Sequence, residues 1–327
     1  RLCRLALGGG YGWLSGSYGL AVDNIVQATV VTANGSVLTA SDTENTDLFF
    51  GIRGGGVNFG VVTELALKLH PQRPMVYAGW LTFDPSILED LLKVVTEWYT
   101  TIHDKAGIIV FLSMGAHAQR VLRILVFYDG SEAEGRAHYK AFLDLGPMSD
   151  ETQEIPYEEM GAIQAGQCVS FKGIAQHTSD YKSLSQAWEM MMEVPKIPGF
   201  IGGDILLTYA PMSKIISVPL EATAFRRGAT AIVLIGLVWK DNTLENEMIA
   251  RRYARDAADI ILHGQSTITT SESLGYANHD PDGSTGDRGA FDKARLVFAE
   301  NYPRLQKIKM KYDPDVVFNR WLPIVPA

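Results

Sequence analysis

Two glycine clusters mark the first sixty residues, Gly8-Gly9-Gly10-Tyr11-Gly12 and Gly54-Gly55-Gly56. Glycine lets a backbone approach a flat or anionic ligand closely and present its N–H groups to it. The same clusters would serve equally as tight turns. A dinucleotide fingerprint, G-x-G-x-x-G, requires glycine at positions 13 and 59, where Trp13 and Phe59 stand. The phosphate-binding pattern G-x-x-x-x-G-K-[ST] does not occur. His103, His117, His138, His177 and His263 show no metal-ligand spacing. Cys3 and Cys168 are too few for a disulfide framework or a thiolate cage. No metal site is expected.

The elements that must position these clusters follow from pattern. Ile25 to Thr32 and Val37 to Thr39 read as two strands around Asn34-Gly35, the strongest short hairpin signal. Asn45 or Thr46 is placed to cap a short helix through Asp47-Leu48-Phe49-Phe50. From Val61 the period is two, which puts Val61, Thr63, Leu65, Leu67 and Leu69 on one strand face. Asp84-Pro85 opens a helix with an apolar stripe from Ile87 to Tyr99. Gly107 to Met114 and Gln119 to Tyr128 read as a hairpin around Ala116-His117. Ser131 and Glu134 form a capping box for a helix ending near Leu145. Ala187 to Val194 and Leu244 to Leu262 read as helices, Ala229 to Lys240 as a buried strand. A polar loop, Asn278 to Asp292, precedes a helix around Phe291 to Lys311. Helices mixed with antiparallel hairpins indicate an α+β class.

The chain has 327 residues, 46% of them hydrophobic, enough for about two domains. The formal net charge of −8 and the absence of a basic run argue against nucleic acid or an anionic membrane as partner. The longest apolar run, Ala231 to Trp239, falls far short of the ~20 residues of a spanning helix. Asn34-Gly35-Ser36 is a glycosylation sequon on a predicted turn and fits secretion.

The two glycine blocks resemble the flavin-binding domain of the vanillyl-alcohol-oxidase/p-cresol-methylhydroxylase superfamily, in its berberine-bridge-enzyme-like branch. The resemblance rests on Gly8 to Ser15, Tyr18-Gly19-Leu20-Ala21, Asp23-Asn24, Val30 to Gly35, Asp47 to Phe50, Arg53 to Gly56 and Asn58 to Thr63. It returns at Thr223-Ala224-Phe225, Tyr276-Ala277-Asn278, Asn301-Tyr302 and Lys311-Tyr312-Asp313-Pro314. It implies the C-terminal part of a PCMH-type FAD-binding domain over 1–72. A substrate domain, a mainly antiparallel sheet backed by helices, is implied over 73–272, and a returning C-terminal segment over 273–327. The family's N-terminal subdomain, with its pyrophosphate loop and flavin-linking histidine, is expected to be missing from this chain.

The resemblance implies FAD as cofactor and a small-molecule substrate. Gly8, Gly9, Gly10, Tyr11, Gly12, Leu14 and Ser15, with Asp23 and Asn24, would line the flavin ring and ribityl side. Gly60, Val61 and Val62 would lie near the adenosine, and Asn278 beside the isoalloxazine. Relatives use a tyrosine of a Tyr-x-Asn-Tyr element as base; here His279 stands in place of the second tyrosine, so His279 and Tyr276 are the catalytic candidates. The implied activity is oxidation of an alcohol, a sugar or a secondary metabolite, with O2 as acceptor. The alternative is a truncated or degenerate paralogue that binds no FAD.

Overall fold

The computed structural model describes all residues except 1, 115–118, 162–167, 229, 266, 270–272, 277 and 279–287, and leaves out the side chains at 2–4, 168–169 and 288–291. The chain divides into two compact units. One comprises 1–71, 212–229 and 280–327; the other comprises 72–211 and 230–279. Segment 212–229, which the resemblance places in the substrate domain, clusters with the first unit.

In the first unit, strands β1 (Ile25–Val31), β2 (Val37–Ser41) and β3 (Val61–Leu67) form an antiparallel sheet in the order β2-β1-β3. The hairpin forms where Asn34-Gly35 requires it. Gly35 adopts φ +82°, and the Asn34 side-chain oxygen accepts from the Thr32 hydroxyl and the Ser36 N–H. β3 departs from the simple alternation. Val62 pairs with Val30 but Glu64 pairs with Thr29, so the ladder slips at Thr63. A slip of one residue exchanges the faces. Val62 and Leu65 therefore lie opposite the buried Val30 and Ala28, while Val61 and Leu67 are exposed.

Helix Thr46–Gly55 follows. Asn45 sits at its N-cap with φ +45°, and its amide donates to the Thr39 carbonyl instead of capping the helix. The single helix expected around 291–311 is two, Arg288–Phe298 and Tyr302–Tyr312. Pro303 in the first turn of the second cannot continue a preceding helix. The Lys309 ammonium, fully buried, donates to Asp313 and to the Asn58 and Phe318 carbonyls. Tyr312 and Lys311 reach Asp47 at the start of helix Thr46–Gly55. The C-terminal segment is thereby fastened to the second glycine cluster.

The second unit carries an eight-stranded antiparallel sheet. Its strands are β4 (Met75–Phe83), β5 (Ala106–Met114), β6 (Arg120–Tyr128), β7 (Ser149–Asp150), β8 (Gln153–Pro156), β9 (Cys168–Gln176), β10 (Phe200–Tyr209) and β11 (Ala231–Trp239). The order is β7-β4-β6-β5-β10-β11-β9, with β8 also on β4. Helices Leu88–Thr100, Tyr181–Met191 and Leu244–His263 bury their apolar stripes against one face. Alternate residues Ile108, Val110, Leu112, Leu122, Ile124, Val126, Ile205 and Leu207 supply that face of the core. The Ser131–Glu134 capping box forms, ahead of two short helices, Glu132–His138 and Lys140–Leu143. The fold is the expected α+β: one unit is a helix-backed antiparallel sheet, the other a smaller sheet-containing unit.

Candidate functional site

The first glycine block runs between a short helix, Leu2–Leu7, and the turn Ser15–Tyr18. Gly8, Gly9 and Gly10 are buried; Tyr11, Trp13 and Leu14 are half-buried and Gly12 is exposed. Gly9 has φ +122°, and a Cβ there would lie 2.5 Å from the Phe225 ring. Gly54 has φ +121°, and a Cβ there would lie 2.1 Å from the Phe225 nitrogen. Both clusters thus close around Phe225, whose N–H also donates to the Arg53 carbonyl at 3.2 Å. Gly12 differs, since a Cβ there would meet nothing within 4 Å.

Ser15 accepts the Gly12 N–H at 2.9 Å and holds this rim in place. Asp23 accepts the Leu20 N–H and pairs with Arg227 at 2.5 and 3.1 Å, both side chains buried. Asn24 donates to the Tyr18 and Leu20 carbonyls and accepts from His70, whose ring stacks on Tyr18. Asp23 and Asn24 therefore shape the loop from within. Gly60 is buried against the Val31 carbonyl, Val61 is exposed and Val62 half-buried. At Gly12 the backbone is unobstructed, so the stretch Tyr11 to Leu14 could admit a flat ligand against its backbone. The space beside Gly9 is filled by Phe225 and that beside Gly10 by Ala21.

In the second unit, Gly275 takes φ +61° against the Ile174 backbone, and Tyr276 is buried. The Asn278 amide donates to the Tyr276 phenol oxygen at 2.5 Å. The structure brings these two candidates together; His279 lies outside the described residues.

The sheet face opposite the helices holds groups that sequence pattern did not single out. Arg123 on β6 lies 4.5 Å over the Trp80 ring, and Trp80 meets Phe111 edge-on at 4.9 Å. The Arg123 Nε is buried without a hydrogen-bond partner. Asp204 on β10 pairs in register with Ser113 on β5. Burial raises the Asp204 pKa, while the nearby Ser113 hydroxyl and Arg123 guanidinium pull it down. Ser113 lies beside the carboxyl outside hydrogen-bond geometry, so its buried hydroxyl has no partner. These positions become neighbours only through the β6-β5-β10 ladder. The signal that could have found them was alternation in β6, where Arg123 interrupts apolar residues.

The family model "Berberine and berberine like" matches residues 280–324. FAD-linked oxidoreductase pgmH of Aspergillus terreus is 32% identical over 99% of this chain and 68% of that protein. (R)-6-hydroxynicotine oxidase of Paenarthrobacter nicotinovorans is 36% identical over 50% of this chain and 36% of that protein. The solved 6-hydroxy-D-nicotine oxidase from Arthrobacter nicotinovorans superposes with a TM-score of 0.84 at 25% identity, covering 99% of this chain and 71% of that one. Berberine bridge enzyme from Eschscholzia californica shares the fold, with a TM-score of 0.80 at 22% identity over 99% of this chain and 70% of that one. These likenesses span the two glycine blocks, the helix-backed sheet and the C-terminal segment together: the chain belongs to the berberine-bridge-enzyme-like FAD-linked oxidoreductases, whose cofactor is FAD.

Proposed function

We propose that the protein oxidises a hydroxyl-bearing small molecule, an alcohol, a sugar or a secondary metabolite, with O2 as the final acceptor. The observation that carries this reading is the buried Tyr276 phenol held by Asn278, within a family whose members are FAD-linked oxidoreductases. When bound, FAD supplies the two-electron acceptor, taking hydride at N5. The chain's own part is to bind, orient and move a proton. The rim Tyr11-Gly12-Trp13-Leu14, held by Ser15, presents backbone to the flavin. Gly60, Val61 and Val62 are assigned to the adenosine side.

Tyr276 receives the substrate hydroxyl proton as the C–H bond is broken, and Asn278 orients its oxygen for that transfer. His279 is the alternative base. The two are separated by Tyr276→Phe and His279→Asn. The base variant should lose roughly 100-fold or more in kcat, the other little. The test is anaerobic bleaching of the bound flavin by a panel of sugars, benzylic alcohols and alkaloid amines, followed by oxygen uptake. Bound flavin that no member of the panel bleaches would refute the proposed substrate range. Unchanged kcat in both variants would refute the base assignment.

A further inference from the structure

The sheet face opposite the helices holds a guanidinium, Arg123, and a carboxyl, Asp204, that form no ion pair with each other. Among the described residues Arg123 makes no hydrogen bond and no ion pair; its guanidinium lies over the Trp80 ring and interacts with Asp204 only through space. A half-buried guanidinium with no hydrogen-bonded carboxylate bears a desolvation cost that a charge at this distance offsets only in part. Asp204 sits two strands away, across β5, and beside it the Ser113 hydroxyl is buried with its hydrogen-bonding capacity unused. Strand spacing and one two-residue step put the two Cα atoms about 12 Å apart. Between them lie Phe111 on β5 and Leu206 on β10, paired in register with each other. Trp80 flanks Arg123. At the other end Phe171 lies across Gly236, which pairs with Asp204. An apolar floor, a planar cation at one end and a carboxyl-hydroxyl pair at the other describe one ligand chemistry.

We propose that Arg123 is a specificity-determining residue that binds the carboxylate of an aromatic substrate, while Asp204 and Ser113 bind a hydroxyl on the same ring system. This names a substrate class within the function proposed above, and rests on that reading only for what happens after binding. The guanidinium plane suits a carboxylate bidentately, and stacking on Trp80 holds it in orientation. Burial favours the neutral form of the Asp204 carboxyl, which then both donates to and accepts from a ligand hydroxyl.

The test is calorimetric titration of the folded protein with three probes: 3-hydroxy-2-naphthoate, 2-naphthol without the carboxylate, and 2-naphthoate without the hydroxyl. The first should bind ~10- to 100-fold more tightly than 2-naphthol, the range of one hydrogen bond to a charged group. Arg123→Gln should remove that preference and leave 2-naphthol affinity within about twofold. Arg123→Lys should restore part of it, since charge remains and the planar fork does not. Asp204→Asn should narrow the gap between the first probe and 2-naphthoate. A preference that persists in Arg123→Gln, equal binding of all three probes, or no binding by the folded protein would each overturn the proposal. Binding that follows this pattern with no flavin bleaching would instead refute the oxidase reading and leave the site standing.

Discussion

Gly54 makes the sharpest test of what the glycine clusters do. Gly54→Ala places a methyl 2.1 Å from the Phe225 nitrogen, 2.5 Å from its Cα and 2.7 Å from the Ala224 carbonyl carbon, at φ +121°. All three contacts are backbone, so segment 224–225 must move and the Phe225 N–H to Arg53 carbonyl bond opens. Backbone strain of about 1–3 kcal/mol, overpacking of about 1–3 kcal/mol and one lost hydrogen bond of about 1 kcal/mol come together to about 5 kcal/mol. At roughly 3 °C per kcal/mol, that lowers Tm by about 15 °C. Gly12→Ala is the matched control, because its methyl meets nothing and its stability should stay within about 0.5 kcal/mol of wild type. The two should separate in FAD titrations as well: Gly12→Ala weakens flavin binding without destabilising the fold. The assay is thermal unfolding followed by circular dichroism. A Gly54→Ala melting point within a few degrees of wild type would refute the packing argument, as would equal losses at both positions.

Three further outcomes follow from buried charge. Asp23→Asn or Arg227→Met alone should cost about 3–5 kcal/mol by stranding the buried partner, and the double variant less than the sum, measured by denaturant unfolding. Lys309→Met should cost a similar ~3–5 kcal/mol by leaving Asp313 buried without its cation, and should loosen the C-terminal segment in hydrogen exchange. His138 accepts from the Trp98 indole, and its pKa is pushed from 6.5 to about 4 by burial and then by nearby His103. The unfolded chain takes this proton first as pH falls. The contribution is therefore complete above 6.5 and lost progressively towards pH 4, about 1.5 kcal/mol after halving for its partial exposure. His138→Gln should flatten that part of the stability–pH curve.

Local rules made some of this legible. Asn34-Gly35, the Ser131–Glu134 box and the stripe of helix Leu88–Thr100 are decided within a few residues, and each forms where its chemistry requires. What escaped depends on distant pairing. The slip at Thr63 is invisible in the period of β3 because only the β1 partner defines it. Strands β4, β9 and β10 carry glycines or polar residues that blur alternation, so the sheet face joining Arg123, Ser113 and Asp204 could not be assembled beforehand. Phe225 shows the same limit: its motif is legible in the sequence, but its place between Gly9 and Gly54 comes from contacts more than 160 residues apart. Of the resemblance-based site residues, Tyr276 and Asn278 meet, while Asp23 and Asn24 face inward.

The central claim, an FAD-linked oxidoreductase, is tested most directly by the visible spectrum of the purified protein produced with FAD. The flavin band should survive gel filtration and bleach anaerobically on adding a hydroxylated aromatic acid, then return with oxygen. A folded protein that emerges without flavin and gains none from added FAD would contradict the account.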